Sequence, residues 1–267
     1  MFRGRTKKVA VGVGASVLVA MTSLAVVPLV ASASTTGTTT SVTATPAATT
    51  TGHAVSIAAK VTPVTTDAAT LAGTVTFTIT GSDSSTVSCK NPAPAPVNHA
   101  GKATCQIPAG VLLAAASPYS ISGTFTSGNA NYTGSTGSTS VTVARAKTHM
   151  KLKAKPAVHN HTANVFTATI KAGSASKLLG GDVRFTVVSK PGPTNLHKLT
   201  CAGGDLQPVA VSGNVATATC SLQAGWFIVP PQTKTNKHPV GTYGVSAVYL
   251  GNGSFLSSQK TKQGSVG

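Results

Sequence analysis

Residues 119–132 read YSISGTFTSGNANY, and residues 243–255 read YGVSAVYLGNGSF. In both stretches large apolar residues alternate with small ones at a period of two, as in a β-strand with one buried face. A Gly-Asn turn follows in each, because glycine permits a positive φ and asparagine tolerates it. We therefore predict one structural unit that occurs twice, with Tyr119 and Tyr243 as corner residues and with Phe125 and Tyr249 facing inward.

The two halves of the chain match around this unit. GTVTF at 73–77 aligns with GDVRF at 181–185, and CQIPAG at 105–110 aligns with CSLQAG at 220–225. The repeat is slightly longer than about 100 residues, which suits a self-contained sandwich rather than a solenoid unit. We predict an all-β protein made of two tandem immunoglobulin-like antiparallel β-sandwiches of seven strands each, with domain 1 at 34–145 and domain 2 at 146–267.

The N-terminal 33 residues have the order of a secretory signal peptide. Basic residues precede an apolar run that ends near Val30, and Ala31-Ser-Ala33 supplies a small-residue cleavage site. Cleavage after Ala33 predicts a secreted or cell-surface protein without membrane contact in its mature form. An uncleaved anchor stays open as the alternative, because the apolar run approaches the about 20 residues that cross a bilayer.

The strand and turn motifs resemble those of the bacterial Ig-like repeats of group 3. The motifs are a threonine-rich first strand, the GTVTF strand, a late Ala-Gly turn, and the endings FTSGNANY at 125–132 and YLGNGSF at 249–255. The resemblance covers essentially everything after the leader and implies a fold but no reaction. It also implies tandem repeats on secreted or surface-exposed bacterial proteins, where they act as stalks, adhesive modules or accessory parts.

Each half contains one pair of cysteines, which departs from the pattern of that family. An even number of cysteines in an exported chain favours disulfides over thiols or a metal. Three connectivities are possible, and only Cys89–Cys105 with Cys201–Cys220 respects the repeat. Both second cysteines come well before the corner tyrosines, so neither bridge matches the inter-sheet disulfide of antibody domains.

The positive charge is concentrated in the second half. The chain has a formal net charge of +17. Residues 146–267 contain thirteen lysines and arginines against two aspartates, whereas residues 34–145 contain four against two. A field of one sign attracts polyanions over a long range, and salt screens it.

Three lysines alternate along the predicted first strand of domain 2, at 147–154. Lys151, Lys153 and Lys155 would line one face at intervals of about 6.6 Å. One interpretation is an edge strand that uses lysine to prevent pairing with other chains. The other is a binding patch for an anionic polymer, which Lys147 and the outlying lysines would join: Lys171, Lys177, Lys260 and Lys262.

The second half also has a longer loop between Gly225 and Tyr243 than the first half has at the equivalent place. Its tip, Gln232 to His238, carries Lys234 and Lys237 between prolines. Insertions at the rim of a sandwich often bind ligands, so we predict that the tip contacts the polymer. Trp226 and Phe227 align with core positions of the first half.

The sequence shows no constellation for catalysis. It contains four aspartates and no glutamate, and none of the aspartates stands in a catalytic motif. His159 and His161 would point to one side of an extended segment and could share a metal, but a polar turn accounts for them better. We predict no enzyme activity, no metal, no cofactor and no specific nucleic-acid partner, since no RNA- or DNA-recognition motif occurs.

These observations predict a non-catalytic exported protein with a structural or binding role at the cell envelope. In the first hypothesis the cationic second domain contacts an anionic cell-wall or surface polymer. In the alternative the protein is an inert spacer, or an assembly or adhesion subunit, that binds no polymer. No oligomeric state is predicted.

Overall fold

The computed structural model describes most of the chain after the predicted leader. Four predicted features lie outside the described residues: the signal peptide, Asp67, Lys177, and the loop tip with Lys234 and Lys237. The described residues are 35–65, 70–91, 93–155, 157–173, 180–191, 196–227 and 241–267.

The first half forms two sheets, which we call module 1. Its strands are β1 (Thr38–Thr45), β2 (Ala48–Thr50), β3 (Val55–Pro63), β4 (Gly73–Thr80), β5 (Thr86–Val87), β6 (Ala95–Pro96), β7 (Lys102–Ile107), β8 (Tyr119–Ser127) and β9 (Ser135–Ala144). One sheet has the strand order β1-β3-β7 and the other has the order β2-β9-β8-β4-β5, with β6 also paired to β4. A turn of 3-10 helix, Ala114–Ala116, precedes β8.

The second half repeats this arrangement in module 2. Its strands are β10 (Thr148–Lys153), β11 (Ala157–Val158), β12 (Asn164–Ala172), β13 (Asp182–Lys190), β14 (His197–Leu199), β15 (Leu206–Pro208), β16 (Ala210–Ser212), β17 (Val215–Leu222), β18 (Gly241–Tyr249) and β19 (Ser258–Val266). One sheet has the strand order β10-β12-β17-β16 and the other has the order β11-β19-β18-β13-β14, with β15 also paired to β13.

Each module has its own hydrophobic core between its two sheets. In module 1 Ile57 of β3 and Ile121 of β8 are fully buried in one cluster. In module 2 Phe166 of β12 and Val245 of β18 belong to a separate cluster. The apolar residues alternate with hydroxyl-bearing residues along these strands, so one face of each sheet is buried and the other is wet. The predicted class, all-β with immunoglobulin-like sandwiches, is confirmed; the domain limits 34–145 and 146–267 stay a prediction.

The structure corrects two details of the predicted topology. The pairing is not purely antiparallel, because β2 pairs parallel with β9 and β11 pairs parallel with β19. The modules also contain more than seven strands, since two- and three-residue strands add to the predicted set. Strands this short carry too few alternating residues to give a periodic signal in the sequence.

The repeated unit faces the core as predicted, although its two corners differ. Phe125 and Tyr249 are buried. The Tyr119 hydroxyl accepts a hydrogen bond from the Leu113 N–H (2.8 Å) and donates one to the Leu113 carbonyl (3.1 Å), which is the geometry of a tyrosine corner. The Tyr243 hydroxyl instead donates to the carbonyl of Lys155. The backbone upstream of Tyr243 that a corner would use, at 228–240, lies outside the described residues, so the corner role of Tyr243 stays a prediction.

Both predicted disulfides are present. Cys89 bonds to Cys105 of β7, and Cys201 bonds to Cys220 of β17. The first disulfide joins the segment after β5 to β7, and the second joins the segment after β14 to β17. Disulfides of this kind are typical of proteins that mature outside the cytoplasm.

Candidate polyanion-binding edge

The first strand of module 2 presents its cations on one face. Along β10 the residues Thr148, Met150 and Leu152 are buried, whereas His149, Lys151 and Lys153 are exposed. Side chains alternate between the two faces of a strand, so the apolar residues take the core side and the cations take the solvent side. The wet face of β10 is therefore a cationic row.

Lysines extend this row at both ends. Lys147 precedes β10 and Lys155 follows it, and both are exposed. The prediction that Lys155 lies on the strand is wrong, because β10 ends at Lys153. Pairing ends there: the last residue of β10 in the register with β12 is Lys153, opposite Thr167.

The far end of the row is attached to the core by a tyrosine. Tyr243 is buried, and its hydroxyl donates a hydrogen bond to the backbone carbonyl of Lys155. Its ring centroid lies 5.6 Å from that of Phe166 and 5.7 Å from that of Phe227. Burial raises the pKa of the Tyr243 hydroxyl, which keeps it protonated as a donor. The backbone that carries Lys155 is thus held although none of the described strands pairs with it.

The neighbouring strands of the same sheet add mostly hydroxyl groups. β10 is the edge strand, and β12 lies beside it with Thr169 opposite Lys151 and Lys171 opposite His149. Thr217 of β17 continues the row beyond Thr169. Cations therefore lie along the edge of the sheet, and threonine hydroxyls lie behind them.

Two further lysines come from the edge of the opposite sheet. Lys260 and Lys262 of β19 pair with Ala247 and Val245, so they lie on the core side of their sheet, yet both are exposed. β19 lies next to β10, because the Thr148 hydroxyl donates to the Ser258 hydroxyl at 2.8 Å. We call the lysines of these two adjacent edges the cationic edge: Lys147, Lys151, Lys153, Lys155, Lys260 and Lys262.

The carboxylates of the described residues are engaged elsewhere or distant in the fold. Asp205 forms an ion pair with Lys198 (2.9 Å), which is the one salt bridge within the described ranges. Asp83 accepts a hydrogen bond from the Ser85 N–H (2.9 Å), and hydrogen bonds from Ser85 lower the pKa of Asp83. Asp182 begins β13 in the other sheet. No carboxylate of the described part of the chain neutralises the cationic edge.

The remaining candidates give a mixed result. Trp226 is half-buried against the core of module 2 and Phe227 is buried, in agreement with their predicted core role. His159 and His161 are exposed. Across the part of the chain that the structure describes, no three His, Cys, Asp or Glu side chains are grouped as metal ligands. None of its helices has the length and apolar character of a membrane span.

Sequence reasoning missed two parts of this surface. His149 shares the face of the lysines, and the odd numbers of Lys147, His149, Lys151, Lys153 and Lys155 would have shown it. The approach of β19 to β10 had no local signal, because the two strands are separated by the whole of module 2.

Comparisons with known proteins assign no family. No family model and no curated protein matches the sequence. Among solved structures, an α-2-macroglobulin from Escherichia coli activated by porcine elastase is 10% identical with a TM-score of 0.33. The match covers 87% of this chain and 22% of the α-2-macroglobulin chain. A DUF4785 family protein from Legionella pneumophila is 10% identical with a TM-score of 0.31, and the match covers 83% of this chain and 54% of that protein.

A third similar structure is the adhesin InvE from Yersinia pseudotuberculosis. It is 14% identical with a TM-score of 0.38, and the match covers 84% of this chain and 58% of that one. The chain thus spans less than two thirds of each of these structures. Because all three TM-scores are low, the assignment of the fold rests on the sheets and cores described above.

Proposed function

We propose that this chain is a non-catalytic, exported protein of the cell envelope whose cationic edge binds an anionic surface polymer. The proposal includes a signal peptide at 1–33, two tandem bacterial Ig-like domains at 34–145 and 146–267, and a secreted or surface location. The row of exposed lysines, which has no ion-paired carboxylate in the part of the chain that the structure describes, carries the proposal.

The physical mechanism is electrostatic. Alternate residues of β10 place positive charges about 6.6 Å apart on a held backbone, so a polyanion can contact several of them at once. Lysine near a negatively charged surface contributes about 1 kcal/mol. Three lysines together then change affinity by about 100-fold, and the effect falls as salt screens the charges.

A matched pair of variants tests this function in the full chain. The variant K151T/K153T/K155T replaces lysines by a residue that the equivalent edge of module 1 carries. The control K90T/K102T/K190T removes the same charge from other exposed positions. We expect the edge variant to lose about 100-fold in binding to isolated cell walls at low salt and the control to lose less than about threefold. Equal losses in both, or wild-type binding that is indifferent to salt, would contradict the proposal.

An inert spacer is the second candidate, and the position of β10 favours it. β10 is an edge strand, and lysine on an edge strand prevents pairing with other chains. In that case the wild-type protein binds no polymer at any salt concentration, and the edge variant self-associates. Sedimentation of the same two variants measures this directly.

A further inference from the structure

A cavity lies where the two modules join, at the Lys147 end of the exposed row of β10. It has a volume of about 330 Å³, and both modules contribute to its lining. His53 comes from module 1, Arg145 from the connection, and Lys147 and His149 from module 2, with Ala146 and Leu256 among the apolar residues. We call this cavity the junction pocket.

The backbone around the junction pocket is held by hydrogen bonds. The Ala146 N–H donates to the Ser254 carbonyl and the Leu256 N–H donates to the Ala146 carbonyl, both at 2.9 Å. On the other side the Thr51 N–H donates to the Ala144 carbonyl (2.9 Å). Arg145 therefore projects from a segment whose backbone is held on both sides, so a contact of its side chain with a ligand need not order that backbone.

The modules also touch beside this segment. A Cβ on Gly253 of module 2 would lie 2.9 Å from the Ala115 Cβ of module 1, so the two backbones approach as closely as the absence of a side chain permits. All of these residues belong to one compact unit. The junction is a packed contact, and the cavity is a gap in it.

The chemistry of the lining fits an oxyanion. The guanidinium of Arg145 presents a planar set of donors, the ammonium of Lys147 adds a charge, and the imidazoles of His53 and His149 add N–H donors. Among the described residues no carboxylate lines this cavity, and the neighbour that faces His149 across the sheet is Lys171, a further cation. Tetrahedral oxyanions accept several such donors at once.

We propose that the junction pocket binds a tetrahedral oxyanion, as a phosphate or sulfate group, between the two modules. This site does not depend on polymer binding by the cationic edge. The two share Lys147, whereas His53 and Arg145 belong to the pocket alone.

Nuclear magnetic resonance of the histidine side chains in the full chain tests the proposal. Sulfate is the probe, because its charge does not change between pH 5.5 and pH 7.5, and chloride replaces it at constant ionic strength. We expect the imidazole signals of His53 and His149 to shift together along one saturating curve.

Variants separate a built site from general attraction to a basic protein. R145Q should weaken sulfate binding about tenfold, as the loss of a charged hydrogen bond predicts. K102Q removes the same charge from an exposed position of β7 and should change it less than about twofold. Equal effects of both variants, shifts that do not saturate, or a response of one imidazole alone would overturn the proposal.

Two further measurements complete the test. Dimethyl phosphate imitates a phosphate within a chain: binding as tight as that of sulfate assigns the pocket to a diester, and much weaker binding assigns it to a free or terminal group. K151T/K153T/K155T should keep sulfate binding within about twofold even if polymer binding is lost, so the two proposals fail independently. Loss of sulfate binding in that variant would overturn the separate site.

Discussion

The first strands of the two modules, β1 and β10, occupy equivalent positions but differ in what they expose to solvent. β1 exposes neutral hydroxyl groups and β10 exposes cations. Thr38 of β1 and Thr148 of β10 donate equivalent hydrogen bonds, each at 2.8 Å, to Ser135 and Ser258. From this shared point Ser41, Thr43 and Thr45 occupy the positions that Lys151, Lys153 and Lys155 occupy in module 2. Both strands lie at the edge of a sheet.

The hydroxyl groups of β1 are used locally. The side chains of Thr39, Ser41 and Thr43 donate to carbonyls of the paired strand β3 at 3.3 to 3.4 Å. The lysines of β10 make no such bond within the described residues. This edge of the fold therefore forms without lysine in module 1, so folding alone does not explain the lysines of module 2.

Moving the lysines to β1 of module 1 tests whether positive charge on an edge strand is sufficient for binding. We expect S41K/T43K/T45K, placed in the K151T/K153T/K155T background, to recover at least about tenfold of the lost affinity for cell walls. The physical reason is that charge on an exposed edge strand, and not the rest of module 2, attracts the polymer. Pull-down with isolated walls at two salt concentrations measures it. No recovery would mean that Lys260, Lys262 or the loop after Phe227 is also required.

The two disulfides should stabilise their modules to the same degree. They close loops of similar sequence separation, 16 and 19 residues, so removal of either pair by serine should cost about 3 kcal/mol. Guanidinium unfolding of C89S/C105S and of C201S/C220S checks this. A difference above about 2 kcal/mol would show that the modules depend on their bridges unequally.

A glycine and a lysine at equivalent positions should respond differently to alanine. Gly137 of β9 faces β1 so closely that a Cβ would lie 2.2 Å from the Thr40 carbonyl oxygen. Gly137→Ala should therefore cost about 2 kcal/mol of unfolding free energy. Lys260 holds the same register position in β19, and Lys260→Ala should change stability by less than about 0.5 kcal/mol. Thermal unfolding of both variants compares them; equal effects would contradict the close approach of β9 to β1 at Gly137.

The corner tyrosines give the smallest expected effect. Tyr119→Phe removes two hydrogen bonds to Leu113 and should cost about 1.5 kcal/mol, whereas Tyr243→Phe removes one bond within the described residues, to Lys155, and should cost about 1 kcal/mol. Burial raises the pKa of both hydroxyls, so their contribution is complete below the unfolded pKa of about 10 and is lost as the pH rises through the folded pKa. Urea unfolding at pH 7 and pH 10.5 measures both. Stability that does not fall between these values would contradict the assignment.

Several parts of this structure were open to prediction because they depend on neighbours along the chain. The alternation of apolar and hydroxyl residues indicated strands with one wet face, and the repeated tyrosine unit aligned the halves. The register of β8 with β9 and of β18 with β19 agrees with that alignment, since Val141 and Gly264 lie opposite Tyr119 and Tyr243. Short strands and their parallel pairings were missed, because two or three residues carry no period.

The sequence by itself determined the all-β class, the pairing of the cysteines and the single face that the lysines of β10 share. Each follows from the period of a strand or from the repeat. The tertiary structure decided that β19 lies beside β10, that Tyr243 holds the backbone of Lys155, and that His53 lines the same cavity as Arg145 and His149. These contacts join residues about 90 positions or more apart. Such contacts form only when the sheets close around their cores, and no local pattern encodes that closure.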